Sequence, residues 1–343
     1  MKKLLNTLYI TSTDYYLSLD GENIVIISGK SEAGRIPLHN LEAVVTCGFQ
    51  GVSPALMGAC SERNIDISFL SLSGKFLARV SGRQKGNVLL RRQQYRLADN
   101  PDKAVLISKN FLTGKLFNSR WVIERGIRDH TERLDVECLK KVSENIKNSL
   151  GSIRKCDNKE GLRGIEGESA SKYFSIFNEL ILQQKDDFIF RVRSKRPPLD
   201  PVNAMLSFAY TLLASMCTSA LEIVGLDPYV GFMHTDRPGR CSLALDLMEE
   251  LRSVFADRFV LSLINKKMIS LKDFLIKENG TVLMKDDARK RFVSEWQKRK
   301  TERITHPFLN EKIEWGMVPY SQALLLARTI RGDLDEYPPL LWK

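Results

Sequence analysis

The chain has 343 residues and a formal net charge of +11, from 52 Lys and Arg against 41 Asp and Glu, with 43% hydrophobic residues. Such a composition excludes wholesale disorder, and the length accommodates one large domain or two ordinary ones. Lys2 and Lys3 precede a Leu4-Leu5 pair, but Asn6 ends the apolar run and no small-residue cleavage site follows, so no secretory signal is expected.

Taken in chain order, residues 1–80 read as a small β-rich domain. Thr7–Ile10 and Tyr15–Leu19 are rich in strand formers, and Asn23–Ser28 has the composition of a buried strand. Asp20-Gly21-Glu22 between the last two predicts a hairpin. Gly34–Leu38 and Leu41–Thr46 are short strands, Ser53–Arg63 is a helix with Ser53 as N-cap and Pro54 in its first turn, and Ile65–Leu70 and Lys75–Val80 complete the set. Beyond residue 90 the apolar spacing turns helical, through 101–150, 161–185, 201–224, 242–265 and 286–301. Residues 81–92 between the two regimes read as a basic linker, leaving 93–343 as a larger helical domain and an α+β fold class. Residues 201–221 carry no charge over a length that could span a membrane, but Asn203, Ser207, Tyr210 and Thr211 make the segment too polar, and a buried core helix is predicted. Cys47, Cys60, Cys138, Cys156, Cys217 and Cys241 form no CxxC pair; reduced, buried thiols of a cytoplasmic protein are expected.

The charge is uneven. Residues 1–80 hold seven basic and seven acidic side chains, so the whole excess lies beyond them. It gathers in three clusters: Arg83, Lys85, Arg91, Arg92 and Arg96; Arg191, Arg193, Lys195 and Arg196; and eight bases against four acids over 285–303. A surface of this kind suits a polyanion, because each phosphate neutralised releases condensed counterions. Gly29-Lys30-Ser31 resembles the end of a phosphate-binding loop, but Ile24 stands where the leading glycine belongs and no helix pattern follows, so it reads as a turn. GxGxxG, HExxH and GxSxG are absent, which removes the usual warrant for dinucleotide, zincin and α/β-hydrolase chemistry.

What remains is one imidazole and several carboxylates. His234 lies in a Pro/Gly loop, GFMHTDRPGR, ahead of a helix in which Asp246 and Glu249 are three apart and share a face. Glu166 lies in LRGIEGESASKYF, early in another helix, between Gly164 and Gly167, which permit close backbone approach. A mixed N/O set suits Mg²⁺ or Mn²⁺ better than zinc, and such an ion polarises a phosphoryl oxygen and activates a hydroxyl or water. Each residue also has an ordinary reading: a hydrogen-bonded turn histidine, a solvated helix face, an acid favoured by a helix N-terminus. The residues alone lead to a basic, two-domain protein with metal-dependent nucleic-acid chemistry; its rivals are a metal nuclease that only cuts branched or foreign DNA and a non-catalytic architectural DNA-binding protein whose acids are structural.

Three blocks narrow this: LRGIEGESASKYF at 162–174, KRPPLDPVNAMLSFAYTLL at 195–213 and GLDPYVGFMHTDRPGRCSLALDLMEELR at 225–252. With them the chain resembles the CRISPR-associated protein one family over nearly its whole length, closest to the subtype I-C branch. The resemblance implies a prokaryotic, cytoplasmic DNA integrase and endonuclease with a small N-terminal β domain and a helical catalytic domain. It implies that Glu166, His234 and Glu249 hold Mg²⁺ or Mn²⁺, with Asp246 an extra ligand or a base behind them. Arg83, Lys85, Arg91, Arg92, Arg193, Arg196 and Tyr210 would meet DNA. The implied reaction joins a 3′-hydroxyl of an incoming double-stranded fragment to a phosphodiester at a CRISPR repeat; with water as nucleophile the same site cuts. The implied partners are a second copy, paired through residues 1–80, and the small dimeric CRISPR-associated protein two. Alanine at Glu166, His234 or Glu249 is then expected to abolish integration and leave the fold intact.

Overall fold

The computed structural model describes residues 7–10, 12, 14–41, 43–47, 50–71, 76–80 and 88–343, without the side chains of Cys47 and Phe76. The chain opens with β1 (Thr7–Ile10), β2 (Tyr15–Asp20), β3 (Asn23–Ser28), β4 (Ser31–Pro37), β5 (Ala43–Cys47), α1 (Pro54–Glu62), β6 (Asp66–Leu70) and β7 (Phe76–Val80). These make two sheets. One has the order β1-β5-β6-β7, with β1, β5 and β6 parallel and β7 antiparallel to β6; the other is the antiparallel meander β2-β3-β4. Asp20 pairs with Asn23, so Gly21 and Glu22 form the predicted two-residue hairpin turn, with Gly21 at φ +55°. Gly29, at φ +60°, turns β3 into β4, so the Gly-Lys-Ser tripeptide forms the turn expected of it. Ser53 accepts from Leu56 N at 3.2 Å and caps α1. Leu17, Ile24, Leu38, Val44, Leu56 and Ile67 form a core distinct from that of the helices.

The second part contains α2 (Val88–Asp99), α3 (Pro101–His130), α4 (Val136–Lys155), α5 (Lys159–Ser175), α6 (Pro201–Val224), α7 (Ser242–Leu251), α8 (Arg258–Asn265), α9 (Asp286–Thr301) and α10 (Val318–Arg331). A β-strand first and mostly helix after is the α+β class expected. Three local readings are corrected. The helical stretch over 101–150 is two helices, because Asp135 accepts from Cys138 N and starts α4 afresh. Residues 88–92 of the basic strip are the first turn of α2, and 285–343 holds a small hairpin (Arg303–Thr305 with Lys312–Glu314) and α10, neither foreseen. Between α7 and α8, Arg252–Asp257 is a π-helical turn, an irregularity common at functional sites.

The uncharged helix α6 is the core element predicted. It is long and apolar enough to cross a membrane, with mean hydropathy 1.5. However, Val202, Met205, Leu206, Phe208, Ala209, Leu212 and Leu213 are buried against α7 and α10. The Val, Leu, Met and Phe side chains among them each contribute about 1.5–3 kcal/mol on burial. Asp200 caps α6, and Gly225, at φ +88°, ends it in the left-handed conformation that glycine adopts without a Cβ clash. The five cysteines whose side chains are described are unpaired, but not uniformly buried: Cys60 and Cys217 are, Cys156 and Cys241 are half-buried, and Cys138 is exposed. Cys47 lies outside the described side chains.

The β-sheet rests on α6 through an ionic cluster. Arg79 donates to Asp66, to Ser219 at 3.0 Å and to Glu222 at 2.7 Å. Burial pushes the Glu222 carboxyl up to about 7, against the opposing pull of Arg79. Its folded pKa is above the ordinary carboxylate value, so the buried position favours the protonated form despite the Arg79 contact. The stability it supplies is present at low pH and is lost as pH rises toward and through 7. Glu222→Gln is therefore expected to gain on wild type by about 2 kcal/mol between pH 5 and pH 8 in denaturant melts. Parallel pH profiles for the two proteins would contradict this.

Candidate active site

Three elements bring the site together. The loop 228–241 is pinned to the start of α7: Leu243 N donates to Pro228 O at 3.0 Å, and Ser242 Oγ donates to Thr235 O at 3.1 Å. Gly231 is required there, because a Cβ would stand 2.8 Å from Ser242 Cβ and 2.9 Å from Asp246 Oδ2. Asp246 is fully buried, not on a solvated face. Its carboxylate accepts from Phe232 N (2.7 Å), Met233 N (3.0 Å) and His234 N (2.9 Å), and lies 2.6 Å from His234 Nδ1. A carboxylate can only accept here, so Nδ1 carries the proton and Nε2 presents its lone pair away from Asp246. Both Asp246 oxygens are thus committed to shaping the loop and aiming the imidazole. This geometry suits a positioning role for Asp246, one of the two roles open to it from sequence.

His234 Nε2 faces Glu249, 3.8 Å from Oε1. Glu249 is 2% exposed and sits between two cations: Arg252 Nη2 at 3.0 Å from Oε1 and Lys115 Nζ at 2.8 Å from Oε2. Burial pushes its carboxyl up, but Arg252, Lys115 and His234 outweigh burial and hold it at about 2. Glu166 comes from α5, about two turns in from the Asn158 cap, nearer the middle of the helix than the early position expected, and its Oε1 meets the same Lys115 ammonium. Gly164 and Gly167 are not used for close approach, since a Cβ at either would meet open space.

Lys115 is the residue that sequence reasoning missed. It projects from the middle of α3, and Gly114 beside it lets α3 lie against α7: a Cβ at 114 would come within 3.1 Å of Glu250 Cβ. The signal was a single basic side chain, Lys115, in an otherwise apolar and small stretch, FLTGKLFNS. Arg252, three residues after Glu249, and Arg163, which donates to Met233 O at 3.3 Å and to Thr235 Oγ1, were missed as well.

A cavity of about 430 Å³ opens beside Lys115 and Glu166 and is lined also by Arg193, Lys195, Tyr210 and Arg252. Tyr210 donates to Asp257 Oδ1 at 2.6 Å, with the guanidinium groups of Arg193 and Arg252 at 5.3 and 5.1 Å from its ring centroid. Arg193 also donates to Asn203 Oδ1 at 2.6 Å and Ser207 Oγ at 3.1 Å, so much of its hydrogen-bonding capacity is spent within the chain. Arg196 is exposed and does not line the cavity. Arg91 and Arg92 ride on α2, whose Gln94 donates to Asp227 O (2.8 Å) and Val230 O (2.9 Å), tying that helix to the His234 loop. Arg83 and Lys85 lie outside the described residues.

No three His, Cys, Asp or Glu side chains among the described residues stand close enough to grip one ion as they are placed. The donor chemistry nevertheless suits a hard cation. Two carboxylates and an imidazole nitrogen face one region, and a cation, the Lys115 ammonium, already bridges the carboxylates there.

Residues 8–298 match the family described as CRISPR associated protein Cas1. The chain is 49% identical over 343 residues, the full length of both, to the CRISPR-associated endonuclease Cas1 1 of Chlorobaculum tepidum. Among solved structures, a casposase bound to its integration product superposes with a TM-score of 0.84 and 23% identity over 98% of this chain and 94% of its own. A chain of a Cas6-RT-Cas1–Cas2 complex gives 0.85 and 22% over all of this chain and 36% of its own. The structural likenesses establish the fold; the family match and the full-length relative establish more, and the chain belongs to the Cas1 family of CRISPR-associated endonucleases.

Proposed function

We propose that this chain is a metal-dependent DNA endonuclease and strand-transfer enzyme of CRISPR adaptation, acting at the cluster of Glu166, His234 and Glu249. The observation that carries this reading is that Glu166 and Glu249 meet one buried ammonium at the edge of a basic cavity, with His234 Nε2 facing Glu249. Mg²⁺ or Mn²⁺ held there would polarise a phosphoryl oxygen and lower the pKa of the attacking hydroxyl or water. The chain's own residues do the rest. Asp246 keeps the His234 proton on Nδ1 and aims Nε2 inward; Arg252 and Lys115 keep Glu249 ionised; the basic wall receives the phosphodiester. In joining, a 3′-hydroxyl oxygen forms the new bond to phosphorus and the 3′-oxygen of the target strand leaves; in cutting, water takes the place of the hydroxyl.

The DNA would be a duplex fragment and a CRISPR repeat. The assembly would include a second copy of the chain, paired through residues 1–80, and CRISPR-associated protein two, in keeping with the Cas1–Cas2 complex whose chain shares this fold. The three sequence blocks favour a subtype I-C setting, in the prokaryotic cytoplasm. The test is a strand-transfer assay with a short duplex bearing free 3′-hydroxyls, a supercoiled plasmid carrying a repeat, and Mg²⁺ or Mn²⁺, each with and without EDTA. Joined product that requires the ion is the expected result. Nicking without joining, with the small partner present, would leave an endonuclease that does not integrate. Tight DNA binding indifferent to the ion, with no product, would leave an architectural protein.

A further inference from the structure

The third basic cluster, over 285–303, largely neutralises itself. Arg289 pairs with Asp286, Lys290 with Asp287 at 3.4 Å, Arg291 with Asp273 at 2.5 Å and Lys298 with Glu295 at 2.6 Å. At its end the balance fails. Arg299 and Arg303 enter an open cleft of about 790 Å³ together with Arg125 from α3, Arg258 from α8 and Lys343, against Glu302 as the lone acid in the lining. Arg299 pairs with Glu302, and Arg125 has Asp129 3.6 Å behind it. Arg258 and Arg303 have no carboxylate in ion-pairing distance among the described residues. Arg258 instead lies over the Trp342 ring at 4.5 Å, where Arg125 also stacks at 4.9 Å. Burial, and then the like charges of Arg299 and Arg125, push the Arg258 guanidinium down to about 10.

A half-buried guanidinium among like charges is costly unless an anion completes the site. Stacking on Trp342 holds the planes of Arg125 and Arg258 and leaves N–H edges free for a bidentate acceptor. We infer that this arginine cleft is a second phosphate-binding site, which takes the backbone of duplex DNA away from the catalytic cluster. Arg125 is ten residues from Lys115 on the same helix, about 15 Å along its axis, so the cleft is a separate site. Phosphates fit better than bases, because arginines already cover the Trp342 ring. The cleft is open and many-charged, which favours a polyanion over a single small anion. The inference rests on the DNA reading above.

The test uses the full chain, fluorescence-labelled duplex DNA in EDTA, and a salt titration of binding. Arg303 is exposed, so Arg303→Gln carries little risk to the fold; Arg258→Gln is then added to it. The slope of log affinity against log salt is expected to flatten by about 1 for the single and about 2 for the double variant. A wild-type slope that is steep and unchanged in both variants would overturn the second site and leave the DNA reading standing. Binding of polyglutamate, but not of duplex, lost in the variants would also overturn it and make the cleft a dock for an acidic protein segment. A wild-type protein with no salt-dependent duplex binding would overturn both readings.

Discussion

Replacing His234 by alanine is expected to lower metal-dependent cutting and joining of DNA by at least about 10³-fold, with DNA affinity in EDTA and thermal stability close to wild type. The imidazole is an inward-aimed donor whose own support, Asp246, keeps its three backbone partners when the ring is gone. Glu166→Ala is expected to behave in the same way, because Glu166 is partly exposed and contacts the cluster through Lys115. Glu249 departs from the simple expectation that all three alanine variants keep the fold. It is 2% exposed between Arg252 and Lys115, and its removal strands two cations. Glu249→Ala should cost about 3 kcal/mol of stability as well as activity, and Glu249→Gln is the cleaner probe. The paired measurement is turnover and a denaturant melt for each variant. Wild-type turnover in His234→Ala would remove that residue from the chemistry.

Lys115→Met is expected to produce the second large effect, visible without any turnover. In the metal-free protein the ammonium bridges Glu166 and buried Glu249, so its loss leaves carboxylates facing each other with Arg252 as the remaining cation. A cost of about 3 kcal/mol in EDTA follows. A divalent ion would take the vacated position, so Mn²⁺ should restore much of that stability by mass action and bind the variant at least about tenfold more tightly than wild type, where it must displace the ammonium. Calorimetric titration of Mn²⁺ and melts with and without EDTA check both halves. Equal stability and equal Mn²⁺ affinity in the two proteins would show that Lys115 does not hold the cluster.

Sequence reasoning named acids and a histidine that the fold brings together, but misjudged their surroundings. Asp246 and Glu249 were recognisable as acids on one helix face; that the face is buried depends on α3 and on the 228–241 loop packing over it. Gly231 in the loop could be read only as a turn residue, whereas its lack of a Cβ is what lets the backbone amides close on Asp246. Residues 88–92 looked like linker because their charges dominate. Leu90 and Gln94 on the opposite face, both buried, anchor α2 instead.

What the sequence determined by itself was local. Ser53, Asn100, Asp135, Asn158 and Asp200 cap the helices that follow them, Gly21 and Gly29 turn the hairpins, and the uncharged run from Pro201 becomes the central helix. These features depend on neighbours a few residues away, where backbone geometry and side-chain reach settle the outcome. The tertiary structure alone decided which cations meet which acids. Lys115 joins Glu166 to Glu249, Arg79 joins two sheet and helix carboxylates, and most of the 285–303 cluster is cancelled while Arg258, Arg299 and Arg303 are gathered with Arg125 into one cleft. Charge along a chain is a sum that ignores distance, whereas electrostatic energy depends on separation and on the water excluded between groups, and both are set only when distant segments pack together.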